Sequence, residues 1–239
     1  DVTAFTEGIY VHQAQAMCYG YFYLCEHDDE RIAVQLTYVN LDTEEVKRFV
    51  QYYTRKELED WYAKTMNRFL VWADFLYDWF AKRGESIRKI EFPFAYRQGQ
   101  RELAVSVYKT IQRKKVLFIQ APTGVGKTIS TVFPSVKAVG EGLGDKVFYL
   151  TAKTITRTAA ESAFAQLRRQ GLQFKTIILT AKEKLCTQGM NCNPTDCPYA
   201  RGHFDRVNDA VFDIIQNECC MNRETIIKYA EKHMVCPFE

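Results

Sequence analysis

Val116-Leu117-Phe118-Ile119-Gln120-Ala121-Pro122-Thr123-Gly124-Val125-Gly126-Lys127-Thr128 is an apolar run followed by a glycine-bearing loop and then a helix-compatible segment. That order is the one a phosphate-binding loop needs. Glycines let successive backbone N–H groups point at one anion, and the N-terminus of the following helix adds its dipole. Gly124 and Gly126 supply that freedom, with Thr123 and Val125 between and before them. Lys127 is expected to reach the β- and γ-phosphates of a nucleoside triphosphate, and the Thr128 hydroxyl to ligate Mg²⁺. Ala121 stands where the first glycine of the general pattern usually falls.

Composition narrows the setting. The chain has 239 residues, 47% hydrophobic and 26% charged, which is enough for a core and one or two domains and argues against disorder. No apolar run approaches the roughly 20 residues needed to cross a bilayer, and no basic-then-apolar leader begins the chain. A cytoplasmic protein without a membrane partner is expected. The net charge of +3 permits nucleic acid without arguing for it. The chain opens on Asp1 rather than Met, which suggests a fragment.

Eight cysteines in such a chain ask for metal rather than disulfides. Cys186, Cys192 and Cys197 share one stretch rich in Asn, Gly and Pro, and Cys236-Pro237 echoes Cys197-Pro198. The gaps of five, four and thirty-eight residues are wider than the tight pairs of most zinc sites, so a 4Fe-4S cluster is the leading expectation and zinc the competitor. Cys236 is the expected fourth ligand, with the adjacent Cys219 and Cys220 as alternatives. Cys18 and Cys25 lie seven apart on an expected helix and are expected as core residues.

Residues from about 9 to 27 have helical spacing, and Arg31 to Val39 alternate as a half-buried strand does. Asp42-Thr43-Glu44-Glu45 and Thr54-Arg55-Lys56-Glu57 both resemble capping boxes and are expected to start helices. The second helix is expected to bury Leu58, Trp61, Phe69, Trp72, Leu76 and Phe80 and to stop at Gly84, with a domain boundary near Phe92-Pro93-Phe94. Beyond it helix and strand alternate. Helices are expected from about Gln98 to Arg113, Lys127 to Val139 and Thr154 to Gln170, with parallel strands at Val116–Ile119, Val147–Leu150 and Thr176–Leu179. Two further helices follow, one carrying Phe204, Val207, Val211, Ile214 and Ile215, the other capped by Asn222.

Tyr96-Arg97-Gln98-Gly99-Gln100, Ala121 to Thr128, Tyr149-Leu150-Thr151-Ala152-Lys153-Thr154 and the cysteine block together resemble the first motor domain of DinG/XPD-type iron–sulfur DNA helicases, over residues from about 91 to the end. The resemblance implies an α/β fold: a RecA-like P-loop domain with a parallel sheet over 91–182, and an inserted, mainly helical iron–sulfur domain over 183–239. It implies that Gln100, in a nucleotide-binding segment with Arg97, reads the adenine edge of ATP. Thr151, Lys153 and Thr154, which end a strand and enter a helix, would contact the phosphates of single-stranded DNA, although a helix cap and a solvated lysine explain them as well. A monomer acting on single-stranded and forked DNA, in DNA repair, is the implied setting.

His12-Gln13-Ala14-Gln15-Ala16-Met17-Cys18-Tyr19 is similar to the Q-x-x-x-Y helix of RecB-type PD-(D/E)XK nucleases, so residues 1–90 resemble the C-terminal part of a nuclease-like α+β domain. Gln15 and Tyr19 are i and i+4 and could approach a DNA phosphate together, or be an ordinary polar pair. The catalytic Asp and Glu-x-Lys of that family have no counterpart before His12. No Asp-Glu box follows Thr128 either. These gaps lead to the expectation of a nuclease–helicase fragment that binds nucleotide weakly and turns it over negligibly by itself. The alternative is a non-motor nucleotide-binding module with a zinc-stapled accessory domain.

Overall fold

The computed structural model describes residues 6–122, 124–152, 154–186, 188–189 and 192–238, with backbone alone at 154–156. It is a mixed helix and strand protein, and each sheet among the described residues has two strands. Two compact units divide inside one helix, between Leu76 and Tyr77. Among the described residues no helix is long and apolar enough to cross a membrane.

The first unit opens with α1 (Tyr10–Glu26), which buries Met17, Gly20 and Leu24. Gly20 is required by contact: a Cβ there would lie 3.3 Å from both Leu58 Cδ1 and Val34 Cγ2. Strands β1 (Arg31–Val39) and β2 (Val46–Thr54) pair antiparallel from Arg31 with Thr54 to Val39 with Val46. Here the expectation of a helix starting at Asp42 fails. Asn40 Oδ1 accepts from the N–H groups of Asp42 and Thr43, which folds 40–45 into a hairpin turn, and the β-branched and aromatic residues that follow pair with β1.

The box at Thr54 does start a helix. In α2 (Arg55–Lys89) the Thr54 N–H donates to Glu57 Oε2 at 2.8 Å and the Glu57 N–H donates to Thr54 Oγ1 at 3.2 Å. Arg55 closes the turn after α1 by donating to the carbonyls of Leu24, His27 and Asp29. Leu58 and Trp61 pack on Met17 and Leu24. Further along, Phe69, Leu76 and Phe80 are exposed, contrary to the expected buried stripe, and Cys25 is exposed as well.

Nor does α2 stop at Gly84. It continues because Ile87, and Ile90 just beyond the helix, enter the core of the second unit, where they meet α4 (Lys127–Gly140) and α5 (Thr154–Arg169). That core joins Ile129, Val132, Val136, Phe164, Leu167, Leu172 and Phe174. Lys137 ends α2 by donating to the carbonyls of Ile87 and Arg88 at 2.8 and 3.2 Å, a cation on orphan acceptors at a helix C-terminus. Its burial there pushes the ammonium pKa down. Helix α3 (Gln100–Gln112) packs on α4.

The expected strands at 116–119 and 147–150 carry no sheet ladder among the described residues. Phe118 is 93% exposed and Leu150 89%. Apolar runs of this kind become buried strands only when neighbours pair both edges and layers cover both faces. The third expected strand is shorter than 176–179. As β3 (Thr176–Ile177) it pairs in parallel with β4 (Cys220–Met221).

A short helix, α6 (Lys182–Leu185), leads into the cysteine stretch, and α7 (His203–Asn217) and α8 (Arg223–His233) form a helical pair over Ala210, Ala230 and Val235. Asn222 caps α8 by accepting the Thr225 N–H at 2.9 Å. Between the two helices, Asp213 Oδ2 accepts from Lys232 Nζ and His233 Nε2, each at 2.6 Å. Lys232 first and His233 second hold this carboxyl below the usual carboxylate range.

A depressed carboxylate pKa contributes stability that is present above the unfolded value, about 3.9, and is lost as pH falls through the folded one. The α7–α8 pair is therefore expected to loosen as pH falls below about 4. In Asp213→Asn, hydrogen exchange of α7 and α8 should be faster at neutral pH and lack that acid-dependent component. An unchanged acid profile in the variant would remove Asp213 as its source.

Candidate functional site

The residues expected to form a phosphate loop come together around the N-terminus of α4. Gly124 and Gly126 both have left-handed backbone, with φ of 85° and 75°, and Gly126 immediately precedes the helix. Lys127 Nζ donates to the carbonyls of Ala121 and Pro122 at 2.9 and 2.8 Å, so the loop curls around its own lysine. Thr128 Oγ1 accepts from the Tyr149 hydroxyl at 3.3 Å, which puts Tyr149 at the rim of the site. Thr123 lies outside the described residues.

Residues 97–100 brace this loop from behind. Gln100 is 5% exposed, and its Nε2 donates to Val125 O at 2.7 Å while its Oε1 accepts the Arg97 N–H at 2.8 Å. Arg97 Nη1 donates to Gly124 O at 3.0 Å. In this arrangement the amide that the resemblance assigns to adenine engages the protein at both ends. Sequence reading placed Arg97 and Gln100 at the nucleotide and missed their hold on the loop.

Gly126 is doubly constrained. A Cβ there would sit 2.3 Å from Gln100 Nε2 on a backbone that L-residues avoid. Gly126→Ala is expected to expel Gln100, cost about 1–3 kcal/mol of stability and abolish measurable Mg-ATP binding. Thermal unfolding with and without Mg-ATP checks this. A variant as stable and as nucleotide-responsive as the parent would sink the bracing argument.

The other expected contacts are placed separately. Thr151 is exposed at the end of the 147–150 segment; Lys153 lies outside the described residues, and Thr154 opens α5 with its side chain undescribed. In the first unit, Gln15 Nε2 donates to the Tyr19 hydroxyl at 3.2 Å, and both side chains face solvent, opposite Met17 and Leu24.

The second cluster is sulfur. Cys186, Cys192, Cys197 and Cys236 line one cavity, with Tyr199 beside them. Cys219 and Cys220 do not, because they are held in the β3–β4 pairing: Cys219 O accepts from the Thr176 N–H at 2.9 Å and from Arg168 Nη2 at 3.0 Å. All eight cysteines are free thiols. The four thiols surround common space, while among the described residues no three of His, Cys, Asp and Glu are arranged to hold one metal ion.

The surroundings of Cys186 suit a thiolate. The backbone N–H groups of Gln188 and then Gly189 point at Cys186 and hold its thiol below the usual range, with the Lys182 ammonium adding to the effect. Cys197 is 8% exposed, in a turn where Asn193 Oδ1 accepts from the N–H groups of Thr195 and Asp196. Guanidinium groups hold the surrounding carbonyls. Arg223 Nε donates to Lys184 O at 2.6 Å, and Arg201 donates to Pro194 O and Thr195 O at 3.1 and 3.0 Å. Sequence reading missed these arginines, because nothing local marks an arginine whose acceptors lie up to 39 residues away.

No protein-family model, curated protein or solved structure matches this chain.

Proposed function

We propose that this chain is the nucleotide-binding and cluster-bearing part of an ATP-dependent DNA helicase of the iron–sulfur DinG/XPD type, in which ATP hydrolysis drives translocation on single-stranded DNA. The observation that carries the reading is the gathering of Cys186, Cys192, Cys197 and Cys236 on one cavity in the same unit as the loop at Gly124–Thr128. In support of the motor, α3, α4 and α5 alternate with the apolar segments 116–119 and 147–150 in the order of a RecA-like domain, whose parallel sheet is part of the proposal. The Gln15–Tyr19 pair is read as the DNA-facing remnant of a nuclease-like helix. A cytoplasmic monomer completes the reading.

In such a site Lys127 Nζ exchanges its two carbonyl acceptors for β- and γ-phosphate oxygens, and backbone N–H groups from Gly124 to Thr128 orient them. Thr128 Oγ1 would supply an oxygen to Mg²⁺, and the Arg97–Gln100 brace would hold the loop carbonyls of Gly124 and Val125 in place. The four thiolates suit iron, and a cluster held by them would staple a domain with a small core of its own. The test is metal and sulfide analysis of anaerobically purified protein. About four iron and four sulfide per chain with broad visible absorbance that bleaches on reduction are expected. A colourless protein with one zinc would replace this reading by a zinc-stapled, non-motor nucleotide-binding module.

A further inference from the structure

Cys236 is separated from Cys197 by 38 intervening residues, yet both line one cavity. Two side chains at the start of α7 join their segments. His203 is 3% exposed, and its Nδ1 accepts the Cys236 backbone N–H at 3.1 Å. Arg206, one turn further along α7, donates through Nε to His233 O at 3.1 Å and through Nη2 to Met234 O at 2.6 Å, the carbonyls just before Cys236. The same Nη2 donates to Arg201 O at 2.7 Å, and the Arg201 side chain in turn holds the Pro194 and Thr195 carbonyls between Cys192 and Cys197.

The backbone is shaped for this arrangement. Gly202 has φ of 64°, and a Cβ on it would lie 2.7 Å from Arg206 Nη1. Met234 is also left-handed, with φ of 55°, which turns the chain out of α8 and aims residues 234–236 back at α7. A buried N–H without an acceptor is costly, and a planar guanidinium can serve several carbonyls at once where an ammonium cannot.

We propose that His203 and Arg206 are positioning residues that set Cys236 against the Cys192–Cys197 loop, and so decide how firmly the metal group is held. This rests on the reading of the four cysteines as a ligand set. Both residues act through backbone atoms, and neither is among the residues lining the cavity. His203→Leu removes the acceptor, whereas His203→Asn keeps one, Oδ1, where Nδ1 stood. Arg206→Lys keeps the charge and loses the fork.

The experiment uses the full chain purified anaerobically, with iron and sulfide counted, visible absorbance followed under an iron chelator, and the reduced protein examined by electron paramagnetic resonance. His203→Leu and Arg206→Lys are expected to lose the cluster about ten- to a hundredfold faster than the parent and to alter the resonance line shape. His203→Asn should stay close to the parent, and the helical circular dichroism of the metal-free proteins should be alike. If His203→Leu and Arg206→Lys hold the cluster as long as the parent with the same spectrum, or if His203→Asn fails as badly as His203→Leu, the positioning role is overturned while the ligand set stands. Parent protein without iron or sulfide overturns the ligand set first, and the proposal with it.

Discussion

Lys127→Ala is expected to lower the affinity for Mg-ATP about tenfold to a hundredfold, the 1.5–3 kcal/mol that a charge-assisted hydrogen bond contributes. The parent ammonium sits at the first turn of α4 and is already bonded to two loop carbonyls, so phosphate replaces acceptors rather than water alone. The unliganded fold should hardly change, because the side chain is exposed and the α4 core lies on the opposite face, through Ile129, Val132 and Val136. Calorimetric titration of parent and variant separates the two effects. Equal affinities would show that phosphate is not bound at this loop.

Cys197→Ser is the second large effect. It should abolish iron retention and release α7 and α8 into fast hydrogen exchange, leaving the Ile129–Leu167 core protected. Metal binding is folding free energy wherever a site is not held by its own core, and the apolar cluster between α7 and α8 is small: Ala210, Ala230 and Val235 with Val207. The loss is expected to be several kcal/mol, on the order of a buried ligand pair rather than a surface change. Cys220→Ser, in the β3–β4 pairing and away from the cavity, should keep its metal. Retained iron and unchanged exchange in Cys197→Ser would remove Cys197 from the ligand set.

Helices whose signals are local were legible. The Thr54–Glu57 box, Asn222 before α8, Gly171 after α5 and the glycines before α4 each act within a few residues, so they read the same in the sequence and in the fold. Asp42–Glu45 shows where that logic stops. Its residues match a capping box as well as Thr54–Glu57 does, but β1 offers β2 nine pairing positions, and the pairing takes 42–45 as a turn. The apolar runs at 116–119 and 147–150 fail in the opposite sense: their composition demands burial, and burial is a property of neighbours.

By itself, the sequence determined the glycine-bearing loop at 124–126, the helices around it and free thiols rather than disulfides, because glycine freedom, caps and residue chemistry act over a few bonds. Only the tertiary structure decided that Gln100 braces Val125, that Cys236 rather than Cys219 or Cys220 joins the cavity, and that His203 and Arg206 hold it there. Each of those contacts spans 25 residues or more, and a backbone carbonyl or N–H at that range has no residue type to announce it.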